Sequence, residues 1–245
     1  MALSETTAAV ETSSEGSEGM ERLHQKIVEM GITTRQMVAD AVDAVMTQRN
    51  TDERAEEIAE RDDIVDRLDR EAEWDALHLL ALPHRIQSAN LRFVGSAMKI
   101  ITDMERIGDH AVNIAKAAHR IRYAGIPYEP IIDLPRFSEL VCTMIEKTTQ
   151  AYAEKDADLA REVIAADTEV DIFYKETRRE LYSLMQEAYG NGSRVLLCSH
   201  LLFVAHYLER IGDHCTNIAE RIVYAEQGKR VPHHREQARP LVVAG

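Results

Sequence analysis

One heptapeptide occurs twice in this chain, and that repeat restricts the folds that the chain can adopt. The sequence MERIGDH at residues 104–110 returns as LERIGDH at residues 208–214, and both copies continue to an Asn-Ile-Ala triplet, which begins at Asn113 and at Asn217. Each residue of the second copy stands 104 positions after its counterpart. A fixed period of this length indicates two copies of one structural unit that carry the same polar residues.

Helices are the secondary structure that the composition favours. Aromatic residues make up 5% of the 245 residues, and there are only 11 glycines and 6 prolines. Residues that favour strands or interrupt helices are therefore few. Apolar residues recur with helical periodicity in six stretches that are separated by turn signals. These stretches predict helices at about 20–48, 52–82, 88–123, 133–155, 156–189 and 193–228.

The predicted fold class is all-α, with six helices that form two tandem, pseudo-symmetric antiparallel three-helix bundles. The first bundle takes residues 20–125 and the second takes residues 134–230. The match extends to the second helix, whose residues have counterparts 105 positions later in the fifth. We expect residues 1–19, which are rich in Ser, Thr, Glu and Gly, to be a disordered extension. Residues 231–245 carry no helical pattern and are expected to be a loose tail.

Charge and apolar content argue against several classes of protein. A formal net charge of −13 disfavours nucleic-acid binding, which needs a basic surface. No apolar run approaches the roughly 18–20 residues that cross a bilayer, and residues 1–19 lack the basic and apolar regions of a secretory signal. The three cysteines form no disulfide framework, and Cys142 and Cys198 are expected to be buried. These features together predict a cytoplasmic protein.

Pairs of acidic residues four positions apart recur in both halves. Residues at this spacing lie side by side on one face of a helix, and an asparagine continues the stripe in the third and sixth helices. The second and fifth helices carry the same spacing, so each half places two acidic pairs on neighbouring antiparallel helices. The eight carboxylates are Asp62, Asp66, Glu105 and Asp109 in the first half, and Asp167, Asp171, Glu209 and Asp213 in the second.

Four carboxylates that face one another across a helix pair repel unless a cation lies between them. Hard oxygen ligands at this density suit Mg²⁺, Ca²⁺, Mn²⁺ or iron, and zinc with carboxylate or imidazole help. Candidate additional ligands are Asn113, Asn217 and His206, the last of which lies one turn before Glu209. His110 and His214 point about 100° away from the carboxylate stripes, so we expect them to be solvated or hydrogen-bonded rather than ligating.

Two features of the acidic faces qualify this prediction. Arg106 and Arg210 could neutralise part of the charge locally, and an internal duplication copies solvated surface residues as readily as functional ones. The matched pairs are therefore open to a second interpretation, as solvent-exposed faces without metal.

Gly108 and Gly212 lie in the middle of helices, where glycine is unfavourable by about 1 kcal/mol relative to alanine. Their presence predicts that a neighbouring helix approaches closely at both positions.

The doubled ERIGD phrase, preceded in each half by an acidic helix, resembles the PhoU family of regulators of bacterial phosphate-specific transport systems. The likeness covers roughly residues 20–230. It implies multinuclear metal clusters held by the eight carboxylates, with divalent or trivalent ions such as iron, zinc, manganese or magnesium. It also implies negative regulation of phosphate uptake and of the two-component response to phosphate starvation. The expected partners are the ATPase subunit of the transporter and the sensor histidine kinase at the inner membrane.

Two rival functions remain open from the sequence. A carboxylate-bridged di-metal enzyme would need inward-facing Glu-x-x-His motifs on two helices, whereas this chain offers Glu21-x-x-His24 without a second copy. No Walker A loop, dinucleotide-binding glycine motif or nucleophile elbow is present either, so a non-enzyme is favoured. A metal-free acidic adaptor for basic partners is the other alternative. The identity of the metal, direct phosphate sensing and homodimer formation also stay open.

Overall fold

The computed structural model of this chain describes residues 2–82, 88–188 and 190–231, with side chains from residue 16 onward. Within these ranges the chain forms six α-helices and no strand, which confirms the all-α prediction. The helices are α1 (Ala2–Thr47), α2 (Thr51–Ala81), α3 (Ser88–Tyr123), α4 (Leu134–Glu154), α5 (Ala157–Glu187) and α6 (Gly192–Gln227).

The two predicted three-helix repeats are present, and they share one hydrophobic core. In the first repeat α2 packs on α1 and α3, and in the second α5 packs on α4 and α6. The repeats meet where α3 packs along α6 and where α1 packs against α4. The buried apolar side chains of both repeats form one continuous cluster. The four helices α1, α3, α4 and α6 therefore surround the centre, and α2 and α5 lie on opposite outer sides.

The helices that join the repeats run antiparallel. Arg92 near the start of α3 donates to the Ala225 carbonyl near the end of α6, at 3.3 Å. On the other side, the Arg35 guanidinium of α1 lies 3.2 Å from the Glu146 carboxylate of α4. Because α3 and α6 are counterparts, as are α1 and α4, each of these junctions joins equivalent helices of the two repeats. His110 and His214, which are counterparts, face each other on α3 and α6 with ring centroids 5.4 Å apart.

Polar caps begin the helices of the second repeat. The Asp133 side chain accepts from the Arg136 amide at 3.1 Å, with a proline in the first turn of α4. The Asp156 side chain accepts from the second and third amides of α5 at 2.8 and 2.9 Å, and Asn191 accepts from the Arg194 amide at 3.2 Å. Gly228, with φ of 69°, ends α6. These contacts satisfy amides and carbonyls that a helix end leaves unpaired.

The amino-terminal extension differs from its prediction. We expected disorder up to residue 19, whereas α1 begins at Ala2. Gly19 is buried against α2, where a Cβ would lie 2.9 Å from Leu79 Cδ2, and Gly16 lies next to Leu82 in the same way. Packing on the end of α2 supports a helix whose local composition does not favour one. The predicted stop at Pro83 and the tail from residue 232, with His233 and His234, lie outside the described residues.

The expectation about apolar runs also needs correction. One 18-residue window within α6 has a mean hydropathy of 1.2, so by length and composition that helix is apolar enough to span a membrane. Many of its apolar side chains are instead buried in the core, because α6 packs against α3, α4 and α5, although Leu196 and Phe203 are exposed. The three cysteines are free and buried, as predicted for Cys142 and Cys198.

Candidate metal centres

Two mid-helix glycines bring the acidic helices together. A Cβ on Gly108 of α3 would lie 2.9 Å from Oδ1 of Asp62 on α2. A Cβ on Gly212 of α6 would lie 3.1 Å from Val170 Cγ1 and 3.7 Å from Asp167 Oδ1, both on α5. The prediction of a close helix approach at both glycines is confirmed. Each glycine thereby places an aspartate of the outer helix beside the Glu-x-x-x-Asp stripe of the inner one.

The structure brings the four predicted carboxylates of the first repeat into one electrostatic group, here called the first centre: Asp62, Asp66, Glu105 and Asp109. Burial, followed by the charges of the other three carboxylates, raises the pKa of Asp62 to about 6. Burial and then Asp109 also raise the pKa of Glu105. The site therefore concentrates negative charge in a half-buried position, where a bound cation would stabilise the charged forms.

Asp69 belongs to the first centre although the sequence reasoning did not include it. It is half-buried on α2, and burial, followed by Glu73 and Asp66, raises its pKa. Its charge also raises the pKa of Glu105 on the facing helix. The spacing could have revealed it, because Asp62, Asp66 and Asp69 follow the i, i+4, i+7 pattern of one helix face.

Arginines next to the first centre neutralise part of its charge. Nη1 of Arg106 donates to Asp109 at 2.9 Å, and Nε of the same side chain lies 3.4 Å from Glu105. On α2, Nη1 of Arg70 lies 3.9 Å from Asp66. These are exposed pairs of the kind that contributes about 0–1 kcal/mol each. The local neutralisation that the second interpretation requires is therefore present in the structure.

The second centre comprises Asp167, Asp171, Glu209 and Asp213, and its α6 carboxylates are more buried than their counterparts. The side chains of Glu209 and Asp213 are each 14% exposed, against 26% for Glu105 and 43% for Asp109. Arg210 donates to Asp213 at 2.7 Å, and Lys175 donates to Asp171 at 3.1 Å. Lys175 is the counterpart of Arg70, so the duplication preserved the cationic partners together with the acids.

One pair of positions makes the two centres chemically different. His206 and Tyr174 of the second repeat stand where the first has Thr102 and Asp69, and their rings lie 6.1 Å apart. Nδ1 of His206 lies 3.7 Å from Oε2 of Glu209. Burial, and then Arg210, lower the pKa of His206, which favours the neutral imidazole that binds metals. The first centre is thus surrounded by oxygen donors alone, whereas an imidazole borders the second.

The predicted asparagine ligands do not share one environment. The Asn217 amide donates to Asp103 of α3 at 3.3 Å, so this side chain is engaged at the contact between α3 and α6. His214 reaches the same carboxylate, with Nδ1 at 2.8 Å from Oδ1. Asn113 is half-buried and makes no hydrogen bond with another described residue. Its position neither supports nor opposes a role as ligand.

Histidines at the α3–α6 contact pair with the opposite repeat. His214 is hydrogen-bonded, as predicted, and is buried. The counterpart residue, His110, stacks on Tyr207 with ring centroids 5.6 Å apart, and Tyr207 is itself the counterpart of Asp103. Burial, followed by the charges of His214 and Arg210, lowers the pKa of His110 to about 4. This contact therefore holds a neutral imidazole between the repeats.

The two centres offer a hard cation oxygen ligands and negative charge. Gly108 and Gly212 have no side chain that would occupy the space next to Asp62 and Asp167. Among the described residues, however, no three His, Cys, Asp or Glu side chains converge closely enough to hold a metal ion as they stand. Asp109, Asp171 and Asp213 instead accept hydrogen bonds from Arg and Lys side chains. The arrangement offers oxygen ligands for an ion without a preformed coordination shell.

A family model described as the PhoU domain matches this chain twice, over residues 27–118 and 134–222. The chain belongs to the PhoU family. Each match falls within one three-helix repeat, so the PhoU domain is the unit that is duplicated here. The matched segments contain all eight of the predicted carboxylates.

Curated relatives agree with this assignment. A protein of Clostridium acetobutylicum named phosphate-specific transport system accessory protein PhoU homolog is 36% identical over 213 residues, which cover 86% of this chain and 94% of that protein. A homologue of the same name from Zymomonas mobilis is 37% identical over 86% of each chain. Both alignments span most of the length of the relatives, so the similarity extends over both repeats of this PhoU chain.

Solved PhoU structures share the fold. The crystal structure of PhoU from Pseudomonas aeruginosa superposes with a TM-score of 0.80 at 29% identity, over 87% of this chain and 99% of that one. The phosphate transport system regulatory protein PhoU from Streptococcus pneumoniae gives a TM-score of 0.76 at 28% identity, over 89% and 99% of the two chains. The tandem arrangement of repeats is therefore a shared PhoU architecture.

Proposed function

We propose that this PhoU chain is a metal-binding, non-enzymatic accessory protein of phosphate transport that acts as a negative regulator. It lowers phosphate uptake and the two-component response to phosphate starvation through contacts with the transporter ATPase subunit and the sensor histidine kinase. The protein acts in the cytoplasm and is held at the inner membrane only through these partners. Iron, zinc, manganese or magnesium, in more than one equivalent, is the expected cofactor.

The observation that carries the metal proposal is the crowding of carboxylates in the first centre. Asp62 shares its surroundings with three further predicted ligands, and its pKa is raised to about 6 as a result of burial and of their charges. A family member that keeps such a cluster in both repeats retains an unfavourable charge arrangement unless a cation compensates it. The names of the relatives support the link to phosphate transport.

Elemental analysis tests the metal proposal directly. We expect several metal equivalents in gently purified, untagged protein and a clear loss in an Asp109→Asn/Asp213→Asn variant, because each substitution removes one carboxylate of a centre. A matched control is Asp52→Asn/Asp158→Asn, which makes the same charge change at exposed positions of α2 and α5. Equal metal content in all three proteins, or none in any of them, would contradict the proposal.

The regulatory part has its own experiment. Binding of the purified ATPase subunit and of the kinase is measured with metal-loaded protein, metal-stripped protein and the Asp109→Asn/Asp213→Asn variant. We expect tight binding by the loaded protein alone. Absence of any binding would count against the proposed partners even if metal is bound. Sedimentation of the same samples shows whether the active species is a homodimer.

The ion pairs of the two centres favour one alternative, the metal-free acidic adaptor. Arg106, Arg210 and Lys175 already neutralise part of the carboxylate charge, and basic side chains of a partner could replace them. In that case Asp109→Asn/Asp213→Asn would weaken partner binding with no metal present in either protein. A di-metal enzyme has less support, because the His24 ring of Glu21-x-x-His24 stacks on Tyr152, with ring centroids 4.9 Å apart, at the contact between α1 and α4.

A further inference from the structure

Two hydroxyl groups are buried without a hydrogen-bond partner where the repeats meet. Ser96 of α3 is 3% exposed and Tyr152 of α4 is 5% exposed, and neither hydroxyl bonds to any described residue. Buried polar groups in proteins are nearly always paired, with protein atoms or with ordered water. We therefore expect a hydrogen-bond partner for both hydroxyls in the space between the two repeats.

A small cavity connects these two residues. Its lining comes from α3, α6 and the end of α4, and its volume is about 10 Å³, which is close to the space that one water molecule requires. The lining residues besides Ser96 and Tyr152 are Phe93, Ile100, Lys155, Ile222, Ala225 and Glu226. The cavity is too small for an organic ligand and has the polar groups that an empty apolar void lacks.

Neighbouring rings hold the Tyr152 hydroxyl in place. The Tyr152 ring stacks between His24, with centroids 4.9 Å apart, and Phe93, with centroids 6.2 Å apart. The ring therefore cannot turn its hydroxyl out to solvent without breaking both contacts. Ser96 also lacks the bond that many hydroxyl residues make within a helix. Ser199 donates to the carbonyl four residues earlier, at 2.9 Å, whereas Ser96 makes no such bond.

The pseudo-equivalent junction at the other end of the molecule is built differently. Met37 and Met144 each contact the mid-helix glycine of their own repeat and are thus counterparts, 107 positions apart. By that spacing the counterpart of Tyr152 is Val45, which is fully buried. The counterpart of Phe93 is Leu197, and that of Ser96 is His200. The pair of hydroxyls is consequently a property of one junction and is not imposed by the duplicated fold.

We propose that this cavity holds one ordered water molecule that hydrogen-bonds to the Tyr152 and Ser96 hydroxyls and so joins the two repeats at one end. Water can accept from one hydroxyl and donate to the other, and a buried water of this kind is part of the structure. The bridge connects α4 of the second repeat to α3 of the first.

A high-resolution crystal structure of the full chain tests the water directly. We expect one water peak at about 3 Å from both hydroxyl oxygens in the wild type. The peak should be lost in a Ser96→Ala/Tyr152→Phe variant. An empty cavity, or hydroxyls that bond to protein carbonyls instead, would overturn the proposal.

A double-mutant cycle tests whether the water ties the repeats together. Ser96→Ala and Tyr152→Phe are combined, and the unfolding equilibrium constant of each protein is measured. We expect non-additivity of roughly two- to tenfold, because each single substitution already breaks the bridge. The control pairs Tyr152→Phe with Thr216→Val, which removes a buried hydroxyl outside the cavity lining, and should be additive. Additivity in both cycles would show that no bridge exists.

Discussion

Asp62 is the residue at which burial and neighbouring charge act in the same direction. Both raise its pKa, to about 6 from the usual 3.8, so in the metal-free protein the folded state keeps a proton that the unfolded chain has lost. Between about pH 4 and pH 6 the folded state binds more protons than the unfolded chain, and the free energy of unfolding therefore falls as the pH rises.

The first prediction follows from this titration. The metal-free wild type should lose thermal stability as the pH is raised from about 4 to about 6. Asp62→Asn removes the titrating group and should show a weaker decline, with higher stability than the wild type at pH 7. Thermal unfolding followed by circular dichroism checks both statements. Parallel pH profiles for the two proteins would mean that Asp62 is not the group responsible.

His206 is the residue that distinguishes the second centre, and the second prediction concerns metal preference. His206→Thr installs the residue that the first repeat carries at Thr102. We expect weaker binding of Zn²⁺, for which imidazole is a good ligand, and little change for Mg²⁺, which prefers oxygen. Calorimetric titration with each ion measures this. The reciprocal Thr102→His variant should gain zinc affinity, and no change in either variant would remove His206 from the ligand set.

At the scale of the helices, single glycines decide how closely two elements approach. Gly108 and Gly212 admit the outer acidic helices, and Gly31 admits α4 to α1. A Cβ on Gly31 would lie 2.8 Å from Cγ2 of Thr149 and 3.0 Å from its Cβ, which is closer than real contacts allow. The threonine cannot easily turn away, because its hydroxyl donates to the Ile145 carbonyl at 2.8 Å.

The third prediction compares two alanine substitutions within helices. Gly31→Ala should lower the free energy of unfolding by about 1–3 kcal/mol, because overpacking separates α1 from α4. Gly95→Ala in α3 has nothing within 4 Å of the new Cβ and should raise the free energy of unfolding by up to about 1 kcal/mol through helix propensity. Urea unfolding measures both. Stabilisation by Gly31→Ala would show that α1 and α4 lie farther apart at Gly31 than in this structure.

At the scale of the whole molecule, the shared core makes the two repeats one folding unit. The repeats are joined along α3 and α6 and along α1 and α4, and their buried side chains form one cluster. A repeat separated from its partner would expose the faces of two helices. Such an arrangement favours a single cooperative transition over stepwise unfolding of two domains.

The fourth prediction is therefore that both repeats of the metal-free protein unfold together. Trp74 is the only tryptophan, lies in the first repeat and is 71% exposed, so its fluorescence reports on α2. Circular dichroism reports on all six helices. Urea transitions followed by the two signals should have the same midpoint. Separate midpoints would show that the repeats are independent domains despite their common core.

Properties that depend on local periodicity can be predicted from the amino-acid sequence. Helix number, most helix bounds, the duplication and the carboxylate spacing follow from residues close in the chain, because side chains three or four apart share a helix face whatever the tertiary context. The close approach at Gly108 and Gly212 could be anticipated because a glycine in the middle of a helix is otherwise unfavourable. Asp69 could have been found from its place on the stripe of Asp62 and Asp66.

Tertiary structure decided which faces meet. No local pattern shows that α3 packs on α6, that Asn217 and His214 bond to Asp103 of the other repeat, or that Gly19 is buried against Leu79. Contacts of this kind join residues far apart in the chain, and their free energy arises from burial when whole helix faces pack together.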